Sequence, residues 1–304
     1  MVHGWIILDK PLELGSTQAV SAVKRNLRAA GYNMKLKGGI KVGHGGTLDP
    51  LASGLLPIAL GEATKLTGRM LDASKVYSFT VKFGAETSTL DLEGEVIATS
   101  EKIPEAAEVA QVLPLFTGPI EQVPPVYSAL MIDGQRAYDL ARKGVAVEMA
   151  SRSVTIHSLD LVDGGADWVT LRAHVSKGTY IRSLARDIAL ALGSRGHVTM
   201  LRRESAGPFT LDQAISLDRL NEIGQGALLE QVLLPLEAGL VDIPALPLTF
   251  EAAKAIRQGR VLLEQPHPDG LYCSYHGSVP VALVEIDGGA MKVVRGFNLI
   301  DVAE

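Results

Sequence analysis

The stretch KVGHGGTLDPLASGLLPIALGEATKL, Lys41 to Leu66, carries the reading of this chain. It runs from a glycine-rich loop, 38–54, toward a helix expected near Glu62 to Leu71. Gly43, Gly45 and Gly46 open backbone angles closed to other residues and let a bulky ligand approach the main chain. Pro50 restrains Asp49 to extended geometry. Two readings of Asp49 stand side by side. It is a carboxylate held at a fixed point on a ligand-accepting loop, or it caps the turn that Pro50 begins.

Working outward, Gly4 to Pro11 reads as an apolar strand ended by a proline, which cannot donate to a ladder. Ser16 or Thr17 is placed to cap a helix on which Val20, Val23 and Leu27 recur at helical spacing. In Lys75 to Phe83, Tyr77, Phe79, Val81 and Phe83 share one face of a strand, and Ser78, Thr80 and Lys82 share the other. Trp168 to Val175 repeats the pattern with Val169, Leu171, Ala173 and Val175 inward. A turn at 176–179 then opens a helix with the apolar stripe Ile181, Leu184, Ala185, Ile188 and Leu192, closed by Gly193. Arg182 and Arg186, four apart, fall together on another face. Past a linker at Ile243–Pro247 comes a short helix through Glu251 to Arg257. Strand-like runs follow at Gly270–Tyr275, Pro280–Ile286 and Met291–Gly296. The expectation is an α+β body, 1–243, and a small β-rich module, 244–304, packed on it.

The 304 residues bear a net charge of −5, which argues weakly against a nucleic-acid partner. The distribution is uneven. From Met1 to Lys75 ten Lys and Arg face five acids, and from Arg172 to Arg203 seven face Asp187 alone. Two basic segments can attract phosphate although the whole is acidic; the alternative is ordinary solvated surface. One cysteine, Cys273, excludes an internal disulfide and a multi-cysteine metal site. The seven histidines form no helical metal pair. With no phosphate-loop, nucleophile-elbow or zinc-helix motif, neither a metalloenzyme nor a nicotinamide enzyme is expected. No apolar run spans a membrane, and no secretory signal pattern opens the chain, so a cytoplasmic protein is expected.

The Lys41–Leu66 run resembles the central motif of the TruB family, the tRNA pseudouridine-55 synthases. LDKPLELGSTQAV (8–20) resembles the family's Lys-Pro motif, and KVYSFTVKFGAETSTLDLEG (75–94) its tyrosine-bearing strand. PPVYSALMIDGQRAYDLARKG (124–144), SKGTYIRSLARDIALALG (176–193) and LRRESAGPFTLDQAI (201–215) are similar to further family segments, in family order. Gly45 departs from the pattern, which commonly has threonine or alanine there.

The resemblance implies a pseudouridine-synthase core with a mixed, largely antiparallel sheet and a small PUA-like RNA-binding module. It implies isomerisation of uridine 55 in the tRNA T-arm without metal or redox cofactor, guide RNA or membrane, by a monomer. Asp49 would be the catalytic carboxylate, Arg182 its ion-pair partner and Tyr77 the aromatic against the target base. Tyr180 and Leu201 would line the base pocket, and His44 would fill the space left by the flipped base. Lys65 would contact RNA, Lys10, Pro11 and Gly46 would support the Asp49 loop, and Arg257 and Arg260 could touch the acceptor arm. A non-catalytic RNA chaperone, a guide-dependent relative and a carboxylate hydrolase are the competing classes.

Overall fold

A computed structural model of the chain describes residues 2–35 and 38–299. Lys37, counted among the amino-terminal bases, and residues 300–304 of the expected module lie outside them. The main sheet runs Gly4–Lys10, Ala52–Leu60, Gly196–Ala206, Lys75–Phe83, Trp168–Val175, Arg152–Gly164, Gly118–Gln122, with Val42–His44 and Phe209–Thr210 attached at its flank. Ala52–Leu60 and Gly196–Ala206 pair in parallel, and every other pairing in it is antiparallel. The sheet is therefore mixed and largely antiparallel, as expected.

Alternation explains what covers each face. On Gly4–Lys10, Trp5 and Ile7 join a cluster with Leu55, Ala59 and Phe209, while Ile6 and Leu8 pack with Leu56 and Ile58 under helices Ser16–Ala29 and Leu217–Gly224. A strand covered on both faces reads as a continuous apolar run. Phe79, Val81, Leu171 and Ala173 meet Ile181, Leu184, Ala185 and Ile188 of helix Ile181–Ala191. The opposite face of those strands is polar, with Thr80 and Thr170 hydroxyls 2.8 Å apart.

Two expectations change, and a stretch assigned no element of its own becomes one. Ala52–Leu60 is a full strand although it holds Pro57. Its neighbours on one side, 201–203 and 42–44, pair only with 52–54 and 58–60, so Pro57 sits in the gap where no ladder N–H is needed. Gly15, not Ser16 or Thr17, precedes the first helix, and the Gln18 side chain accepts from the Gly15 N–H at 2.7 Å. The helix expected near 62–71 begins as a tighter 3-10 turn, Gly61–Leu66, before Thr67–Asp72.

Ala245–Pro247, Gly270–His276, Val279–Asp287 and Ala290–Gly296 form a second, four-stranded sheet beneath helix Phe250–Arg257. Part of the expected linker is thus a strand, paired in parallel with Cys273–Tyr275. One face builds its own core around Ile256, Val284 and Met291, and the other sends Cys273, Leu283 and Phe297 into the Trp5 cluster. Among the described residues no helix is long and apolar enough to cross a membrane.

Candidate active site

The parallel pairing sets Leu201 against Ala52 and Arg203 against Gly54, while the antiparallel one sets Arg203 against Tyr77. The loop that enters strand Ala52–Leu60 is thereby brought to the end of the sheet where Tyr77 and Leu201 stand. Gly54 makes this possible: its φ is +102°, and a Cβ there would lie 2.2 Å from the Arg203 carbonyl oxygen.

The carbonyls of that loop from Gly46 to Pro50 are each held. The Gly45 N–H donates to Pro57 O at 2.8 Å. Arg203, 1 % exposed, donates to Leu55 O at 2.7 Å, Thr47 O at 3.2 Å and Gly46 O at 3.3 Å. Ser16 Oγ accepts from Leu48 N–H at 2.8 Å and donates to Leu48 O at 2.9 Å. Glu13 N–H donates to Pro50 O at 2.8 Å. The wholly buried Lys10 donates to Pro11 O at 2.9 Å and Leu14 O at 2.6 Å, with Pro50 O at 3.5 Å. Burial holds the Lys10 ammonium down at about 8, against the upward pull of the Asp49 carboxylate. These bonds tie Lys10 to the turn Pro11–Leu14 and to Pro50 of the loop. Gly46, at φ +128°, supplies a backbone angle that other residues rarely adopt. Gly45 is packed tightly: a Cβ there would stand 2.6 Å from Met70 Cβ, so this chain has no room for the larger residues usual in its motif.

Asp49 closes the turn through its main chain, not as a side-chain cap: its carbonyl accepts from Ala52 N–H at 3.0 Å, and its carboxylate is left for another partner. That partner is Arg182, whose Nη2 lies 3.0 Å from Asp49 Oδ2. The guanidinium also donates to Thr89 O at 2.9 Å and Tyr127 O at 3.0 Å, and Nη1 stands 3.3 Å from Asp91 Oδ2. Asp49 is 46 % exposed at the side chain while Asp91 is 11 % exposed, so one guanidinium links an accessible carboxylate to a buried one. Arg186, expected beside Arg182, turns instead to Asp187 at 2.8 Å.

Asp49, Tyr77, Tyr180, Arg182 and Leu201 line one cleft of about 320 Å³. With Gly46, six of the site residues singled out in the sequence, 155 positions apart at the extremes, thus meet in one place. Buried Gln122 fixes Tyr180 by donating to its carbonyl at 3.1 Å and accepting from its N–H at 2.8 Å, and the Arg152 guanidinium lies 5.4 Å from its ring centre. A second cavity of about 810 Å³ adjoins on the other side of Asp49, where Arg136 and Arg142 face Glu93 and Glu95.

His44 sits on the loop but lines neither cleft; burial and the nearby Arg203 hold its imidazole below the ordinary range, and its Nδ1 has no partner among the described residues. Lys65 has a structural task. It pairs with Glu62 at 2.7 Å and donates to Gly296 O at 2.8 Å, tying the second sheet to the first, and does not reach the clefts.

Sequence reasoning missed Ser16, Asp91, Lys75, Gln122 and Arg203. Lys75, read as a surface base, is buried in the cleft wall, where it donates to Leu71 O and Ala73 O and burial lowers it to about 8. A signal for Asp91 was present: Thr89-Leu90-Asp91 repeats Thr47-Leu48-Asp49. Leu90 between them is forced to φ +63°, a strained angle for a leucine, and its side chain is buried. The basic stretch 172–203 is largely engaged internally, with Arg172 on Glu204, Lys177 on Asp72, Arg195 on Glu86 and Arg202 on Asp9.

Residues 32–181 match the model of the TruB family pseudouridylate synthase amino-terminal domain, and 182–241 match the tRNA pseudouridylate synthase B carboxy-terminal domain. The tRNA pseudouridine synthase B of Novosphingobium aromaticivorans is 68 % identical over 100 % of both chains. That of Zymomonas mobilis is 57 % identical over 98 % of this chain and 96 % of its own. Among solved structures, a Cbf5-Nop10-Gar1 complex contributes a chain 25 % identical, with TM-score 0.71 over 97 % of this chain and 84 % of that one. A chain of an H/ACA RNP bound to a substrate RNA containing 2'-deoxyuridine has TM-score 0.72 at 24 % identity, over 98 % of this chain and 86 % of that one.

Proposed function

Since the chain belongs to the TruB family of pseudouridylate synthases, we propose that it isomerises uridine 55 in the T-arm of tRNA, without a guide RNA. The observation that carries this is the Asp49 carboxylate, paired with Arg182 at 3.0 Å, at the mouth of a cleft walled by Tyr77 and Leu201.

The reaction exchanges one bond for another. The N1–C1′ glycosidic bond breaks, C5 joins C1′, a proton leaves C5 and N1 ends protonated. No electrons are exchanged, so positioned protein groups suffice. Asp49 supplies the nucleophile or proton acceptor at the sugar–base junction, and Arg182 holds it aimed. Tyr77 lies against the base, with Tyr180 and Leu201 as its further walls. A base stacked in an RNA loop reaches Asp49 only when flipped out, at a few kcal/mol, and His44 takes the vacated space. The module from 244 onward acts as a PUA-like RNA-binding unit beside a catalytic unit, 1–243, in a monomer.

The test incubates purified protein with an unmodified tRNA transcript and maps pseudouridine. Modification at uridine 55 with no added guide RNA is expected; none at all overturns the reading. Asp49→Asn is expected to abolish turnover while leaving tRNA affinity within a few-fold of wild type. A large loss of binding would make Asp49 a structural residue.

A further inference from the structure

Ser128 is 4 % exposed and belongs to the wall of both clefts, yet among the described residues its hydroxyl has no hydrogen-bond partner. Its main chain is satisfied: the N–H donates to Val126 O at 2.9 Å, and the carbonyl accepts from Tyr138 N–H at 3.1 Å. Arg182 holds the preceding carbonyl, Tyr127 O, with the same Nη2 that holds Asp49. One guanidinium nitrogen therefore sets the position of Ser128 relative to the carboxylate.

A buried hydroxyl left without a partner is costly, and native interiors rarely keep one without use. Ser128 stands where the two clefts meet, on a boundary it shares with Thr47, Asp49, Ala129 and Arg182. The first cleft, with Tyr77, Tyr180 and Leu201, has the flat apolar walls that take a base. Across the boundary, Arg136 and Arg142 suit the phosphates of the strand. What lies between a base and its phosphates is the sugar. In an internal nucleotide the 3′ and 5′ oxygens are esterified, so the 2′-hydroxyl is the sugar group that both donates and accepts. As placed, the Ser128 Oγ is itself buried, so contact with a sugar requires rotation about Cα–Cβ to another staggered position.

We propose that Ser128 is a substrate-contacting residue whose hydroxyl bonds the ribose 2′-hydroxyl of the flipped nucleotide. The proposal rests on the functional reading above. It assigns to this chain a group by which the site tells ribose from deoxyribose.

Ser128→Ala tests it, because removing an unpartnered hydroxyl leaves no main-chain group unsatisfied. Dissociation constants are measured in the Asp49→Asn background, with Ser or Ala at 128, for a T-arm stem-loop carrying ribose or 2′-deoxyribose at the target uridine. The expected result is about a tenfold loss of affinity for the ribose ligand on Ser128→Ala and none for the deoxyribose ligand. The melting temperature of Ser128→Ala alone should be unchanged or higher. Equal losses on both ligands would move the contact to the base and overturn the assignment. So would no loss on either, or a lowered melting temperature, which would make the hydroxyl structural. Wild-type protein assayed on the transcript separates the two readings: if it forms no pseudouridine the functional reading fails, whereas unchanged Ser128→Ala affinities beside an active wild type sink this assignment alone.

Discussion

Replacing Arg182 by methionine removes one buried guanidinium and leaves four groups without it. Asp91 suffers most, since its side chain is 11 % exposed and keeps, among the described residues, only Thr89 Oγ1 and the Glu93 N–H as donors. Stripping the partner from a buried ion pair costs about 3–5 kcal/mol. Asp49, nearly half exposed, can hydrate, so its share of the lost folding stability is below about 1 kcal/mol. The carbonyls of Thr89 and Tyr127 lose a donor each, about 1 kcal/mol apiece. A loss of roughly 5–8 kcal/mol would take a large part of the 5–15 kcal/mol typical of a folded domain. Adding Asp91→Asn discharges the stranded carboxylate and should recover about half of that loss, a non-additivity expected of groups in direct contact. Activity should not return, because Asp49 still lacks its cation. Urea unfolding of wild type, both single variants and the double variant measures the first part; single-turnover pseudouridine formation measures the second. Arg182→Met as stable as wild type would refute the buried-pair argument, and so would a double variant no more stable than Arg182→Met. Arg182→Lys separates charge from shape: one ammonium cannot serve two carboxylates and two carbonyls, so a rate within threefold of wild type would show that the fork is not needed.

His44→Ala should slow modification of a stacked target about tenfold and spare a target that is already unpaired; equal rates on both would remove the space-filling role. Because burial and Arg203 lower the His44 pKa, its imidazole stays neutral at and above pH 7, and the wild-type flipping step should not vary between pH 7 and 8. Lys10 has a folded-state value of about 8 against an unfolded value near 10.4, so the unfolded chain binds more protons between those limits. Its contribution to unfolding free energy therefore rises with pH across that window, by at most about 1.4 kcal/mol per pH unit. Lys10→Met should lose that increment between pH 8 and 10, read as the wild-type-minus-variant difference in denaturation midpoints; parallel curves would show Lys10 to titrate normally.

Those charges mark where the sequence stops being legible. Lys75–Phe83 and Trp168–Val175 declare themselves because each has one wet face, and a period of two survives in the residues. Ala52–Leu60 does not: buried on both faces, it has no alternation, and Pro57 argues against a strand until its unpaired edge is known. Asp49 and Arg182 are 133 residues apart, and nothing local to either says that they touch. Their meeting depends on three strand registers and a helix start. The motif resemblance pointed to both, but not to Asp91 behind them. Ser16 was misread for the opposite reason, because a hydroxyl ahead of a helix fits the capping pattern and this one pins Leu48 instead.

The charge question resolves the same way. Away from the clefts, bases of the two positive segments pair with acids: Arg69 with Asp242, Lys177 with Asp72, Arg195 with Glu86, Arg202 with Asp9. Around the Asp49 loop they do something else. Lys10, Lys75 and Arg203 donate to main-chain carbonyls and appear in no ion pair among the described residues. A carbonyl orients a cation without cancelling its charge. With Arg182 these put four cations close to the two carboxylates Asp49 and Asp91 in a chain whose net charge is −5, while Glu93 and Glu95 line the adjoining cavity. Lys10 and Arg203 also fix the loop, and cations so placed offset the repulsion that the Asp49 carboxylate would exert on a phosphate-bearing ligand.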